Sequence, residues 1–202
     1  MLKRFLCSTF AFCICCCAII LPANAAATSI SVCPETNPQR NDNVVVLNDP
    51  ELLQMFESTG ALLSTDPDPE PGPNPHQPEI TLTNRVLVGE RYYGDQPFIV
   101  DSLQGPLVKP SFELVTSSTC GWNADVSISK SLISATFGVN FSKEYSLKRT
   151  ITFGDVAAGE TLIYRAYVNY CVYQYDILTD GVKTGTGRYW TPVGIVVTQS
   201  RM

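Results

Sequence analysis

From Trp122 to Ile177 the chain alternates between apolar and polar side chains with a period of two. Trp122, Ala124, Val126 and Ile128 interleave with Asn123, Asp125, Ser127 and Ser129, and Ala135, Phe137, Val139 and Phe141 interleave with Thr136, Gly138, Asn140 and Ser142. Tyr145, Leu147, Ile151 and Phe153 repeat the pattern against Ser146, Lys148, Thr150 and Thr152. Successive side chains of a pleated strand point to opposite faces, whereas a helix returns an apolar residue about every 3.6 positions. The pattern therefore predicts antiparallel strands. Read this way, Val126, Ile128, Phe137, Val139 and Phe141 are the apolar face of an amphipathic hairpin that turns near Leu132 and Ile133.

Shorter runs extend the prediction to both sides. Ile80, Leu82 and Val86 to Val88, Phe98 to Val100, and Phe112 to Val115 read as strands, with turns at Gly89, Gly94-Asp95 and Gly105-Pro106. Leu162 to Ile177 forms a long strand whose two faces are both largely apolar, as a central strand covered on two sides requires. Asp180-Gly181 is a hairpin turn, and Gly185 to Gly187 and Pro192-Val193-Gly194 divide Arg188 to Trp190 from Ile195 to Thr198. The expected fold is mostly β, an antiparallel β-sandwich or an elongated twisted sheet, occupying 79–202.

The N-terminal part reads differently. Lys3 and Arg4, the apolar run Phe5 to Leu21, and Pro22-Ala23-Asn24-Ala25 predict a secretory signal over 1–25, and so an extracellular mature protein. An acidic segment, 26–65, follows with one short helix: Asp49 caps it, Pro50 takes its first position, Leu52, Leu53 and Phe56 form its stripe, and Gly60 ends it. At two turns the helix either docks on the β domain through this stripe or exchanges with coil, a partner-binding helix being a lesser alternative, and Val44 to Leu47 is a short strand beside it. Residues 66–78, in which proline recurs between Asp66, Asp68 and Glu70, are a polyproline-like linker.

Charge and cysteine change this picture in two ways. Between 26 and 78 one basic residue, Arg40, faces eight acidic ones, whereas 79–202 carries eleven of each sign. The β region thus has no basic excess for nucleic acid or anionic lipid. Five of the eight cysteines lie in the leader, leaving Cys33, Cys120 and Cys171. Cys120 and Cys171 are either a disulfide between a strand entrance and a central strand or two buried apolar side chains.

Candidate chemistry is sparse. The single histidine, His76, lies in the linker, away from any nucleophile, and no Gly-x-Ser-x-Gly, phosphate loop or metal-ligand spacing is present. A hydrolase built on two of Asp101, Glu113, Asp125, Glu144 and Asp176 is the one enzymatic reading left open. No cofactor is expected. Tyr167, Tyr173 and Tyr175 share one face of the long strand, as an aromatic platform for a glycan or as rings filling a core. The function read from these features is non-catalytic binding of an extracellular glycan or protein.

The Ser/Thr-rich stretch Val126 to Phe153, followed by Asp155 to Glu160 and the long aromatic strand, resembles the pore-forming module of aerolysin-like β-toxins. The resemblance implies an amphipathic hairpin that leaves an elongated sheet and joins other copies in a transmembrane barrel. Membrane contact and oligomerisation follow only on that alternative. A barrel strand requires about ten alternating residues with one lipid-compatible face.

Overall fold

The computed structural model describes residues 32–39, 43–59 and 78–202. The leader, most of the linker and His76 lie outside the described residues. Among the described residues eight strands and two helices follow in the order β1 (Val44–Asn48), α1 (Pro50–Thr59), β2 (Ile80–Arg91), β3 (Ile99–Gln104), β4 (Ser111–Thr119), β5 (Gly121–Ala124), α2 (Lys130–Phe137), β6 (Glu144–Thr152), β7 (Thr161–Thr179) and β8 (Val182–Arg201). Every pairing between them is antiparallel.

The scaffold is the β7–β8 hairpin. Asp180 and Gly181 both take positive φ, 50° and 76°, giving the primed turn whose twist suits two long antiparallel strands. β1 and β5 pair end to end along the outer edge of β8, and β2 and β3 likewise along β7, which makes one six-stranded sheet. β4 and β6 form a separate two-stranded ribbon, with Ser111 opposite Thr152 and Thr119 opposite Glu144. The expected break within β8 does not occur: Gly185 and Gly187 stay in the strand, and Pro192-Val193-Gly194 is a local register irregularity opposite Asn169 and Tyr170.

That irregularity turns β7 over. Before it, Leu162, Tyr164 and Ala166 face the ribbon; after it, Cys171, Tyr173, Tyr175 and Ile177 face α2, and Leu52 of α1 touches both clusters. One inner face therefore uses even residues of β7 first and odd residues later. Gly194 makes the crossing compact, since a Cβ there would sit 2.9 Å from Asn48 Oδ1. Across it Asn169, fully buried, donates to Asn48 Oδ1 and to Glu90 Oε2, each at 2.8 Å, and Asn48 Nδ2 donates to Glu90 Oε1 at 2.8 Å. Three strands are thus joined by polar side chains at the point where their register changes, and each buried amide proton named here has an acceptor.

The inner face is closed by α1, α2 and the ribbon. Asp49 caps α1 as its sequence position requires, its Oδ1 accepting from the backbone N–H of Glu51 at 3.0 Å and of Leu52 at 3.3 Å. The same carboxylate pairs with Arg149 of β6, whose Nε also donates to Asn48 O at 3.3 Å. Arg85 of β2 donates to Phe56 O at 3.1 Å and lies 4.3 Å above the Tyr173 ring, which fastens the far end of α1 to the sheet.

Residues Ala135 to Ser142 are not the second strand of a hairpin. Lys130–Phe137 is helical because Ser129 caps it, its hydroxyl accepting from Leu132 N at 3.1 Å, and Gly138 ends it in the left-handed region at φ 66°. Ile133 and Phe137, four apart, are its buried stripe; Val139 and Phe141 continue inward beyond the helix. Val126 and Ile128 pack against the same cluster. Of the five residues expected to form an amphipathic hairpin, Phe137, Val139 and Phe141 are core residues beneath one end of the sheet, and Val126 and Ile128 are half-buried at its margin.

Candidate functional site

The two faces of the six-stranded sheet are used differently. On the inner face Phe137 stacks on Tyr189 with centroids 5.4 Å apart, and Tyr173 on Tyr189 at 5.0 Å, while Tyr175 is fully buried beside them. Gly187 exists in that stack because a Cβ would fall 2.3 Å from the Tyr175 ring. Burial pushes the Cys120 and Cys171 thiols and the Tyr145 hydroxyl each up to about 12, against the ordinary 9 for a thiol and 10 for a phenol. None of these groups is poised to ionise or attack at neutral pH.

On the outer face β5, β8 and β7 present a regular grid. Trp190, Arg188 and Thr186 follow one another on β8, at every second residue. Their neighbours on β7 are Val172, Gln174 and Asp176, and Gly121 and Asn123 of β5 pair with Trp190 and Arg188. Asp125, just past β5, completes the third row by accepting from the Thr186 hydroxyl at 2.6 Å. The rows run from apolar (Gly121, Trp190, Val172) through amide and guanidinium (Asn123, Arg188, Gln174) to carboxylate and hydroxyl (Asp125, Thr186, Asp176). Arg188 Nε and Nη2 both donate to Gln174 Oε1 at 3.2 Å, which holds the guanidinium flat along the sheet. A polar hollow of about 270 Å³ opens among Asn123, Asp125, Thr186 and Arg188. Two strand spacings by two pleat repeats give the grid a footprint of roughly 10 by 13 Å.

Asp125 and Asp176 flank Thr186 from opposite sides and are the two candidate carboxylates that the fold places on one surface. Hydrogen bonds from Thr186 hold the Asp125 carboxyl below the usual aspartate range, and Asn84 with Lys183 does the same for Asp176. A glycosidase acid needs a proton at its working pH and hence a raised value, the reverse of both. Asp101, Glu113 and Glu144 are engaged elsewhere, Asp101 with Tyr164 and the backbone of Ser102, Glu113 with Lys148, and Glu144 with Ser117. Among the described residues no group of three or more His, Cys, Asp or Glu side chains gathers as metal ligands do.

Two alternatives that the sequence left open are decided here, both for the core, and one shared face is corrected. Tyr167, Tyr173 and Tyr175 are buried, at 5 %, 5 % and 0 % exposure, and provide no platform. The turn-over of β7 also separates them: Tyr167 packs on Tyr92 and Val196, whereas the other two lie in the inner cluster. Cys120 and Cys171 are free, buried thiols rather than a disulfide. Cys171 pairs with Thr191, and Cys120 adjoins Gly121 on the opposite side of β8. Two strand spacings, about 9–10 Å, lie between them, beyond the roughly 7 Å limit for a bridge.

A second, wider groove of about 810 Å³ runs along α2, past Lys130, Ser131, Ser134, Ala135 and Phe141. Its lining mixes Ala135, Val139 and Phe141 with Lys130, Ser131, Ser134, Asn140 and Ser142; Lys130 lies 5.6 Å from the Phe141 ring and Ser131 bonds to Ser129. Among the described residues no helix is long and apolar enough to cross a membrane.

No protein-family model matches the chain, and no curated protein does. Among solved structures, one from Bacteroides vulgatus titled "Putative pore-forming toxin" is similar over 60 % of this chain and 55 % of that one, at 11 % identity and a TM-score of 0.30. That overlap is too shallow to transfer an activity.

Proposed function

We propose that the protein is a secreted, non-catalytic recognition protein whose outer sheet face binds an extracellular glycan or protein. The observation that carries this reading is the contrast between an inner face closed by helices and ribbon and an outer face bearing ordered amide, guanidinium and carboxylate groups in register. Rigid strands hold these side chains at fixed spacings, which is what a specific polar contact surface needs. Secretion rests on the leader read from the sequence, and the non-catalytic reading on the lowered pKa values of Asp125 and Asp176, the raised ones of the buried thiols and phenols, and the engagement of Asp101, Glu113 and Glu144 with other partners.

The test is a glycan array and a panel of extracellular matrix and cell-surface proteins, probed with the mature chain and with the variants Asn123→Ala, Gln174→Ala and Arg188→Ala. Binding lost in the variants without loss of fold supports the reading. Failure of the mature chain to bind anything on both panels refutes it.

Pore formation is the second reading, and the β4–β6 ribbon is the observation that favours it. Its strands pair over nine residues each, close to the length a barrel strand needs, and make no backbone ladder with the larger sheet. Its inner side carries Phe112, Leu114, Tyr145, Leu147 and Ile151 but also Thr116, Ser118 and Arg149. An arginine at mid-bilayer on the lipid side costs about 2–4 kcal/mol per copy, which weighs against insertion of this ribbon. Dye release from liposomes of mixed host-like lipids is the discriminating assay; vesicles that stay intact exclude the reading.

A further inference from the structure

The apolar row of the outer grid lies under a piece of the chain itself. Cys33 is buried against Trp190, Tyr170 and Val172, and Tyr93 closes the side of this pocket. Tyr93 and Tyr170 meet edge to face with centroids 5.5 Å apart. Trp190 needs its neighbour on β5 to be glycine, because a Cβ at Gly121 would come within 2.3 Å of the indole ring. No β5 side chain therefore shields the ring, and Cys33 does so in its place. Residues 32–36 are not a strand of the sheet. Thr36 and Tyr92 exchange backbone hydrogen bonds at 3.2 and 2.9 Å, Tyr93 Oη donates to Val32 O at 2.8 Å, and Gly94 leaves room for the Thr36 side chain, 2.8 Å from where its Cβ would be. Beside this segment a cleft of about 390 Å³ remains open between Glu35, Tyr93 and Asp95.

An indole and two phenols beside a row of amide and guanidinium groups match one ligand chemistry. The C–H face of a pyranose ring packs on an aromatic ring, while its hydroxyls exchange hydrogen bonds with side chains at the ring edge. Asp125 and Asp176, both held ionised, disfavour an anionic sugar on the same surface.

We propose that residues 32–36 are a displaceable strap over a sugar-ring subsite floored by Trp190, and that a pyranosyl unit of a neutral glycan takes the strap's place, its hydroxyls meeting Asn123, Arg188 and Gln174. The proposal rests on the recognition reading above and adds to it the ligand class and the gate. Because the open form is only a fraction of the population, apparent affinity is reduced by that fraction, and loosening the strap raises it.

The experiment uses the full mature chain with cellobiose, maltotriose, lactose and N-acetyllactosamine as probes. In a Trp122→Phe background, tryptophan emission reports Trp190 alone, since the chain has two tryptophans. Alkylation by N-ethylmaleimide, mapped by peptide mass, reports the exposure of Cys33. A saccharide that shifts Trp190 emission is expected to accelerate Cys33 alkylation severalfold while Cys120 and Cys171 stay protected. Thr36→Pro, which removes the donor to Tyr92 O, and Cys33→Ala are expected to bind the same saccharide more tightly, by about tenfold. Saccharide binding that leaves Cys33 labelling unchanged or slows it, with unaltered affinity in both variants, overturns the strap; loss of that binding in Arg188→Ala would then leave the recognition reading standing. A protein partner that binds through Arg188 while no saccharide moves the emission of any variant overturns the sugar and the strap, again without touching that reading. No binding of any kind, in the strap variants as well, overturns both proposals.

Discussion

The two faces of the β7–β8 sheet are made from adjacent residues yet serve opposite ends. Tyr189 and Trp190 are consecutive, but the first sits in a stack of aromatic rings closed by α2, and the second floors a pocket covered, among the described residues, by Cys33 and its neighbours. Both are fully buried. What separates them is the means of burial: two helices and a ribbon on one side, and on the other a short segment joined to Tyr92 by a backbone pair and to Tyr93 by a side-chain hydrogen bond. Burial alone therefore does not mark a residue as structural. The inner face stabilises the fold, and the outer face is the one free to make contacts.

That contrast yields predictions of decreasing size. The inner face holds its thiols and phenols protonated, and Cys120, Cys171 and Tyr145 each have folded values of about 12. A raised folded value favours the native state fully below the unfolded value, near 9 for the thiols, and that contribution is lost as pH rises through the folded value. Stability should thus be flat from neutral pH to about 9 and collapse between 9 and about 12, followed by circular dichroism. Next, Tyr175→Ala should cost about 3–5 kcal/mol in urea unfolding, because it empties the centre of the ring stack. Gly187→Ala should destabilise the same region, since its Cβ has no space beside Tyr175.

Asn169→Ala should cost about 1–3 kcal/mol, because it leaves Glu90 and Asn48 without their shared donor at the point where β7 changes face. Arg188→Ala and Gln174→Ala, on the open grid, should shift stability by no more than about 0.5 kcal/mol while abolishing binding. A grid variant that unfolds the protein would erase the distinction between the faces, and an inner-face variant that is tolerated would do the same.

Much of this was legible in the sequence. Asp49-Pro50 with Leu52, Leu53 and Phe56 announced α1 through capping chemistry, Asp180-Gly181 announced the hairpin, and the doubly apolar Leu162 to Ile177 announced a central strand. The second half of the supposed hairpin failed because Phe137, Val139 and Phe141 alternate across the end of a helix, where Phe137 belongs to a four-residue stripe with Ile133 and the other two to an extended tail. Ser129 and Gly138, a capping residue and a left-handed terminator, were the available signal, and they outweigh a two-residue period over so short a span. The three tyrosines are core residues, one of the two readings open to them, but they do not share a face, for a different reason. A strict two-residue period runs through Asn169, whereas the irregularity there exchanges the faces of everything beyond it. The grid itself was half visible, since Asn123 and Asp125 sat on the polar side of their run. Its β7 and β8 members could be matched to them only once the register was known.

The most direct test of the outer face as the contact surface is amide hydrogen exchange on the mature chain, with and without the strongest binder from the glycan and protein panels. Slowed exchange confined to Gly121–Asn123, Val172–Asp176 and Thr186–Trp190, with Lys130–Phe141 unchanged, is the expected result. Protection centred on Lys130–Phe141 or on the β4–β6 ribbon, with the grid unaffected, would contradict it.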